Sequence, residues 1–275
     1  MVVFYVIAAI LAALIFLFLI YLLLLLRPSR GVRPSPALLC DYAHRGLHGK
    51  GIPENSLAAF SLACERGFGI ELDVQLSRDG TVMVFHDYTL SRMTGHDGKL
   101  CDLDASELKE LSLADTDQRV PTFTEVLKLV DGRVPLLVEL KGEDFNTSLC
   151  EKVAELLSDY QGEYCLESFN PLLIGRMKKL LPNAFRGLLY TNVCRDKKKR
   201  SALNVALTCM ALNVLARPNF IAYNKEDRAA LPVFLTTRLF RAPRFVWTVK
   251  GKNEMETAHR LDEHPIFEKL DTSAI

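Results

Sequence analysis

Eight short apolar runs alternate with seven segments of helical spacing along most of this chain, and that alternation limits its fold more than any other feature. The runs fall at 40–44, 70–76, 135–141, 164–169, 185–191, 220–223, 244–249 and 265–270. The helical segments fall at 56–66, 122–130, 146–160, 171–180, 198–215, 225–240 and 253–261. Strands alternating with helices argue for parallel βαβ units, and eight of them close into an α/β barrel. The expected organisation is a transmembrane helix at 1–26, a linker at 27–41 and one barrel domain at 42–275.

One piece breaks the alternation. Asp79-Gly80 lies between two β-rich runs, a strong signal for a two-residue hairpin turn. The strand after it, 81–86, must therefore run antiparallel to its neighbour. Residues from about 77 to 120 become an insertion at the C-terminal end of the second strand, the face where barrels carry their active sites.

With Asp79 and Gly80 as the loop, Arg78 faces Thr81, and counting back pairs Leu76 with Met83, Val74 with Phe85 and Asp73 with His86. Cross-strand partners share a face. In the run Ile70-Glu71-Leu72-Asp73-Val74, the two carboxylates point one way and the apolar residues the other. Glu71, Asp73 and His86 are thus expected in one cluster. Two carboxylates about 5 Å apart repel by about 3 kcal/mol at an effective dielectric near 20. A proton, an Arg or Lys, or a divalent cation must offset that.

Other clusters sit at strand ends: His44-Arg45, His86-Asp87 and Glu139-x-Lys141. The run 136–141 is a buried-type strand, so Glu139 and Lys141 would face the barrel interior near its mouth. Charged residues are rarely buried unpaired. Glu71, Asp73 and Glu139 offer three hard oxygen donors and no thiolate, which favours Mg²⁺ or Ca²⁺ over zinc. Taken singly, each has an ordinary explanation: a hydrogen-bonded core histidine, a strand-capping arginine, a structural ion pair. Together they require several coincidences. His48, His96, His259 and His264 lack such context and are expected on the surface or in loops.

Residues 2–26 carry no charged side chain. As a helix they would reach about 37 Å, enough to cross a hydrocarbon core of about 30 Å. A cleaved signal peptide is the rival, but no Lys or Arg precedes the run and no small-x-small site follows it. Arg27, Arg30 and Arg33 flank the C-terminal side, so the positive-inside rule places the barrel in the cytoplasm of a single-pass membrane protein. Seven cysteines, odd in number and without C-x-x-C, indicate neither a disulfide framework nor a zinc site. A net charge of +1 and no basic stripe with aromatics give no sign of nucleic-acid binding. The run 197–200, Lys-Lys-Lys-Arg, reads as a solvated helix start or as a contact for anionic lipid headgroups.

The pattern His44-Arg45-Gly46, Pro53-Glu54-Asn55-Ser56, Ala59-Phe60, Glu71-Leu72-Asp73-Val74, Asp79-Gly80, His86-Asp87, Leu90, Arg92, Thr94-Gly95, Val120-Pro121-Thr122, Glu125-Val126 and Glu139-Leu140-Lys141 closely resembles the glycerophosphodiester phosphodiesterase family. The resemblance is dense over 42–142 and thinner through Ser168-Phe169, residues 186–189 and Trp247-Thr248-Val249. It implies a TIM (β/α)8 barrel with the small insertion, and a divalent cation, Mg²⁺ or Ca²⁺, held by Glu71, Asp73 and Glu139. It further implies an acid–base pair in His44 and His86, with Arg45 and Lys141 on phosphate and Glu54 on the substrate side. Trp247, the sole tryptophan, either lines the glycerol or headgroup side of the pocket or packs as core. The chain departs from the family's usual pattern at Lys250, where Asn is usual, and at Pro265-Ile266-Phe267-Glu268, where a Gly-Ile-Ile-Thr-Asp-like run is usual.

The implied reaction is hydrolysis of a glycerophosphodiester to glycerol 3-phosphate and an alcohol. One imidazole accepts the proton of the attacking water or neighbouring hydroxyl, and the other protonates the leaving alkoxide. The competing expectations are a lysophospholipase D acting on lipid phosphodiesters and, in a different class, a catalytically silent barrel that binds lipid headgroups at the membrane.

Overall fold

The computed structural model describes residues 1–142 and 146–268. Nine strands form one sheet: β1 (Tyr42–Ala43), β2 (Gly69–Leu76), β3 (Val82–Val84), β4 (Leu136–Leu140), β5 (Tyr164–Ser168), β6 (Phe185–Tyr190), β7 (Phe220–Asn224), β8 (Arg244–Lys250) and β9 (His264–Glu268). All but β3 run parallel, and β1 pairs with both β2 and β9, which closes the eight into a TIM-type barrel. The expected eight strands are thus present. The end of the last run, residues 269–270, lies outside the described residues, as does the rest of the chain to 275.

The helices begin where local chemistry starts them. Ser56 Oγ accepts from Ala59 N at 3.2 Å to open the helix Leu57–Arg66, and Gly67, at φ 71°, ends it. Thr122 and Glu125 form a reciprocal capping box at the start of Phe123–Val130. Two expected helices are interrupted. Residues 198–215 divide into Ala202–Thr208 and Asn213–Ala216, with Met210 between them at φ 50°. The segment 225–240 holds the 3-10 turn Lys225–Asp227, then Leu231–Phe234 and a π-helical turn Leu235–Leu239.

Strand β2 is buried on both faces. Ile70, Leu72 and Val74 pack outward in a core that includes Phe60, Phe123 and Val126. Inside the barrel, the lower half is filled by Tyr42, Leu137, Cys165, Phe185, Phe220 and Phe245, closed beneath by Leu38. Gly187 makes room for this layer, since a Cβ there would fall 2.0 Å from the Phe220 ring. Each such buried aromatic contributes about 1.5–3 kcal/mol. The apolar plug leaves polar chemistry to the upper half.

The hairpin differs from expectation by one residue. Strand β3 pairs Val74 with Val84, Gln75 with Met83 and Leu76 with Val82. The loop has three residues, Arg78-Asp79-Gly80, closed by Ser77 N donating to Thr81 O at 3.0 Å, with Gly80 at φ 77°. Ser77 drives the longer loop, because its hydroxyl binds both Asp79 and the Thr81 backbone. Phe85 rather than His86 therefore stands opposite Asp73, with Phe85 N donating to Asp73 O at 2.9 Å. The insertion beyond it has its own small core of Met83, Phe85, Leu90, Leu100, Leu108, Leu113 and Val120.

A long apolar helix, Val2–Ile20, continues through a π-helical turn, Tyr21–Leu26. Residues after it run along the barrel rather than free of it: Ser29 N donates to Pro218 O at 2.7 Å and Arg30 to Phe240 O at 3.0 Å.

Candidate active site

Parallel register sets a row of acids across three neighbouring strands. Asp73 on β2 stands level with Glu139 on β4, which stands level with Glu167 on β5. Glu71 lies one inward position below Asp73, and Lys141 one above Glu139. All four carboxylates are buried. Oxygen atoms of Glu71, Asp73 and Glu139 all lie within 4.8 Å of one another. Lys141 Nζ lies 2.9 Å from Asp73 Oδ1 and 2.7 Å from Glu139 Oε1.

Packing these charges together moves their proton affinities. Burial, then Asp73, Glu139 and Glu167, push Glu71 well above the usual carboxylate range. Burial pushes Glu139 up to about 7 against the opposing pull of Lys141. Glu167 rises strongly through burial and then its neighbours Glu139 and Asp73. At Asp73, burial is outweighed by Lys141, His86, Arg45 and a hydrogen bond from Asn55 Nδ2 at 2.8 Å, so it stays ionised. Fully ionised, the four carboxylates would outnumber Lys141 and Arg45, and the cluster holds protons in place of further positive charge. Among the described residues, Glu167 Oε2 is buried without a hydrogen-bond partner. A buried set of oxygen donors that keep protons for want of positive charge fits a hard divalent cation, and 4.8 Å is about the span across one bound by oxygen.

The two histidines reach this cluster from different directions. His44 follows β1, its N–H donating to Phe267 O at 2.8 Å, and its Nε2 lies 3.9 Å from Glu71 Oε2. Burial, and secondarily Arg45, push its imidazole down to about 3, so it is neutral near pH 7. His86 lies just beyond β3, where register alone does not aim it. Gln75, the next inward residue of β2 after Asp73, does: its Nε2 lies 2.8, 3.1 and 2.9 Å from the carbonyl oxygens of Phe85, His86 and Asp87. His86 Nδ1 meets Asp87 Oδ1 at 2.6 Å, which places the proton on Nδ1 and leaves Nε2 as an acceptor. Burial lowers the His86 imidazole, with Lys141 and Arg45 adding to that and Asp73 opposing it.

Arg45 sits in the left-handed region at φ 56°, an uncommon position for a residue with a Cβ. That turn lets its own N–H donate to Glu71 Oε2 at 2.8 Å while its side chain reaches Asp73 Oδ2, 3.6 Å from Nε. Its guanidinium donates to Glu54 Oε1 at 2.8 Å. Arg92 binds the same Glu54 oxygen at 2.6 Å and Asp87 Oδ2 at 2.5 Å. A continuous chain of ion pairs therefore joins Asp73 through Arg45, Glu54 and Arg92 to Asp87, which accepts a hydrogen bond from His86. Burial alone would raise the Glu54 carboxyl, but Arg92 and Arg45 hold it below its ordinary value.

His44, Arg45, Glu54, Glu71, Asp73, His86, Glu139 and Lys141 are thus brought to one end of the barrel. Trp247 stands apart on β8, edge-on to Phe169 at 5.6 Å, with its Nε1–H donating to Ala222 O at 3.1 Å. Sequence reasoning passed over Glu167 and Gln75, and gave Asn55, Asp87 and Arg92 no separate role although they stand in the motifs it drew on. His48, expected on the surface or in a loop, lies in the loop after β1 but is largely covered, its Nε2 3.6 Å from Glu268 Oε2. Glu167 carried a readable signal, since a lone acid in a buried-type strand requires a partner.

Comparison with known proteins bears on the same residues. Residues 44–268 match the glycerophosphoryl diester phosphodiesterase family. A glycerophosphodiester phosphodiesterase of Caldanaerobacter subterraneus is 37% identical over 159 residues, which cover 54% of this chain and 65% of that protein. The chain thus spans just under two thirds of that relative's length. The bovine glycerophosphodiester phosphodiesterase 1 is 26% identical over 248 residues, 82% of this chain and 73% of that protein. Among solved structures, a phosphodiesterase of Oleispira antarctica, in complex with its product sn-glycerol-3-phosphate, has the same fold at a TM-score of 0.68. It is 24% identical, over 83% of this chain and 92% of that one. The Thermotoga maritima glycerophosphodiester phosphodiesterase superposes at 0.62 with 26% identity, covering 84% of this chain and 94% of that one. With four fifths of its length matched by the family model, from His44 to Glu268, this chain belongs to the glycerophosphoryl diester phosphodiesterase family.

Proposed function

We propose that this chain is a metal-dependent phosphodiester hydrolase that cleaves glycerophosphodiesters to glycerol 3-phosphate and an alcohol. One observation carries the reading: three buried carboxylates converge within 4.8 Å, with His44 3.9 Å from one of them and His86 aimed at the same end by Gln75. Glu71, Asp73 and Glu139 would hold one divalent cation, Mg²⁺ or Ca²⁺. When bound, such an ion offsets the charge of the phosphodiester and of its more negative transition state.

The chain's own residues supply the rest. Arg45 and Lys141 face the phosphate with positive charge that burial strengthens. One imidazole takes the proton of the attacking hydroxyl or water; the other, neutral in the free protein, takes up a proton as the anionic phosphodiester binds beside it and delivers that proton to the departing alkoxide. Asp87 keeps His86 in one tautomer, the role an acid plays beside a catalytic histidine. Glu54 holds Arg45 and Arg92 in place on the substrate side. Trp247, paired with Phe169, forms an aromatic wall suited to the glycerol or headgroup.

The apolar helix supports a finer reading, in which an uncleaved single-pass anchor holds the barrel on the cytoplasmic side and lysophospholipids are also substrates. Turnover of glycerophosphocholine and lysophosphatidylcholine, each with and without EDTA, tests both. EDTA-sensitive release of glycerol 3-phosphate from glycerophosphocholine, and of lysophosphatidic acid from lysophosphatidylcholine, is expected for the wild type and lost in His44→Ala and Glu71→Ala. Headgroup binding with no cleavage under any added cation would overturn the reading.

A further inference from the structure

The apolar helix does not leave the barrel at an arbitrary angle. Tyr21 Oη donates to Cys209 O at 2.8 Å, Asn213 Nδ2 to Leu26 O at 2.9 Å and Arg217 to Arg27 O at 2.9 Å. Ser29 N then donates to Pro218 O. Residues 21–29 therefore descend in step with residues 209–218. The direction of that second segment is fixed by topology, because it carries the chain from the C-terminal end of β6 to the N-terminal end of β7. Those ends are the mouth and the base of the barrel. Followed backwards from Tyr21, the helix rises toward the mouth and continues past it.

The length of the free part limits how far the barrel stands from a membrane. Residues Val2–Ile20 have no buried member. Nineteen residues rise about 28 Å, against a hydrocarbon core of about 30 Å. A span of that length has nothing left over for a spacer, so the hydrocarbon boundary falls near Tyr21 and the rim beside it meets the headgroups.

The rim on that side is built for such contact. Leu203 and Val205, on the helix just above Cys209, are exposed, as are Leu231 and Phe234 on the neighbouring mouth-side segment after β7. The basic run 197–200 precedes Leu203 in the loop that leaves the mouth end of β6, and all four of its residues are exposed. Apolar side chains beside a cluster of Lys and Arg match an interface of acyl chains and anionic headgroups.

We propose that the mouth of the barrel faces the bilayer and rests on its anionic headgroup layer through the rim at 197–205 and 231–234. The site then draws its phosphodiester from the membrane side. This orientation rests on the anchor reading, but not on turnover.

The test uses the full-length chain, its intact mass measured, reconstituted in phosphatidylcholine vesicles containing phosphatidylglycerol and acyl-brominated lipid. In a Trp247→Phe background, Leu203→Trp reports the mouth-side rim and Asn183→Trp reports the base of the barrel before β6. Both positions are exposed, and Val205→Trp is the second rim probe should Leu203→Trp fold poorly. Loss of most of the rim-probe emission, with the base probe unchanged, is the expected result. Equal quenching at Asn183→Trp, an unquenched rim, or an intact mass lacking the apolar helix would overturn the proposal. The readout is spectroscopic, so a failure of the hydrolytic reading leaves it untouched, and its own failure leaves hydrolysis untouched.

Discussion

Lys250 Nζ lies 2.9 Å from Glu268 Oε1, so two positions at which this chain departs from its family's usual pattern are each other's partner. They are level on β8 and β9, and His48 approaches the other Glu268 oxygen at 3.6 Å. His48, against the opposing effect of burial and with help from Lys250, holds the Glu268 carboxyl well below its ordinary value. The two changes compensate in charge. Lys250→Asn and Glu268→Gln should therefore each destabilise the protein, while the double variant loses less than their sum. Lys250 is half exposed, so the coupling should be about 0.5–1 kcal/mol by urea denaturation. Strict additivity would show that the two side chains do not stabilise one another.

Cation binding at the acidic row should release protons. Burial keeps a proton on Glu139 up to about pH 7, and a cation must displace it. Glu139 alone should therefore make affinity for Mg²⁺ or Ca²⁺ rise by about tenfold between about pH 6 and pH 8, and the raised Glu71 carboxyl should steepen that rise. Calorimetry in two buffers of different ionisation enthalpy reads the proton count directly. Binding without proton release at the lower pH would mean that the carboxylates are already ionised.

Asp87 acts on the chemistry through His86. Asp87→Asn replaces an acceptor-only carboxylate with an amide that can also donate to Nδ1 and so favour the other tautomer, and it loosens Arg92 from the chain of pairs leading to Glu54. General acid–base catalysis contributes about 10²–10⁴-fold, and kcat should fall within that range while KM moves little. A merely structural role would instead lower the melting temperature and leave the pH–rate profile in place. The profile's histidine limb is expected to shift.

The alternation of strands and helices was legible because both periods are local, and the parallel β2 and β4 could be placed by their apolar runs. The inward row Glu71, Asp73 and Glu139 followed from side-chain alternation alone. The hairpin register did not. Asp79-Gly80 favours a two-residue loop until the Ser77 hydroxyl competes for the turn, and that competition is a geometric matter. The clustering of His86 with Asp73 held for a different reason than the one that led to it. Gln75, not strand pairing, turns the backbone of His86 toward the site, and a glutamine in a strand gives no hint of three distant carbonyls. Glu167 was legible as a buried acid in want of a partner, but its place level with Glu139 needed the β4–β5 register, since adjacency between separate strands is set by the closure of the barrel.

Glu167 also offers the sharpest test of the electrostatics. It is buried, level with Glu139, and burial with Glu139 and Asp73 raises its proton affinity strongly. The folded protein therefore keeps a proton that the unfolded chain gives up near the ordinary carboxylate value of about 4.3. For a raised carboxyl, native stability is lost as pH climbs above that value, by about 1.4 kcal/mol per unit while the native proton stays on. Glu167→Gln preserves shape and removes this loss. Measured without added cation, its stabilisation over the wild type should be small near pH 4.5 and should grow as pH rises toward neutrality. A gain independent of pH would mean that Glu167 is ionised in the folded protein, with its charge met by a partner other than a proton.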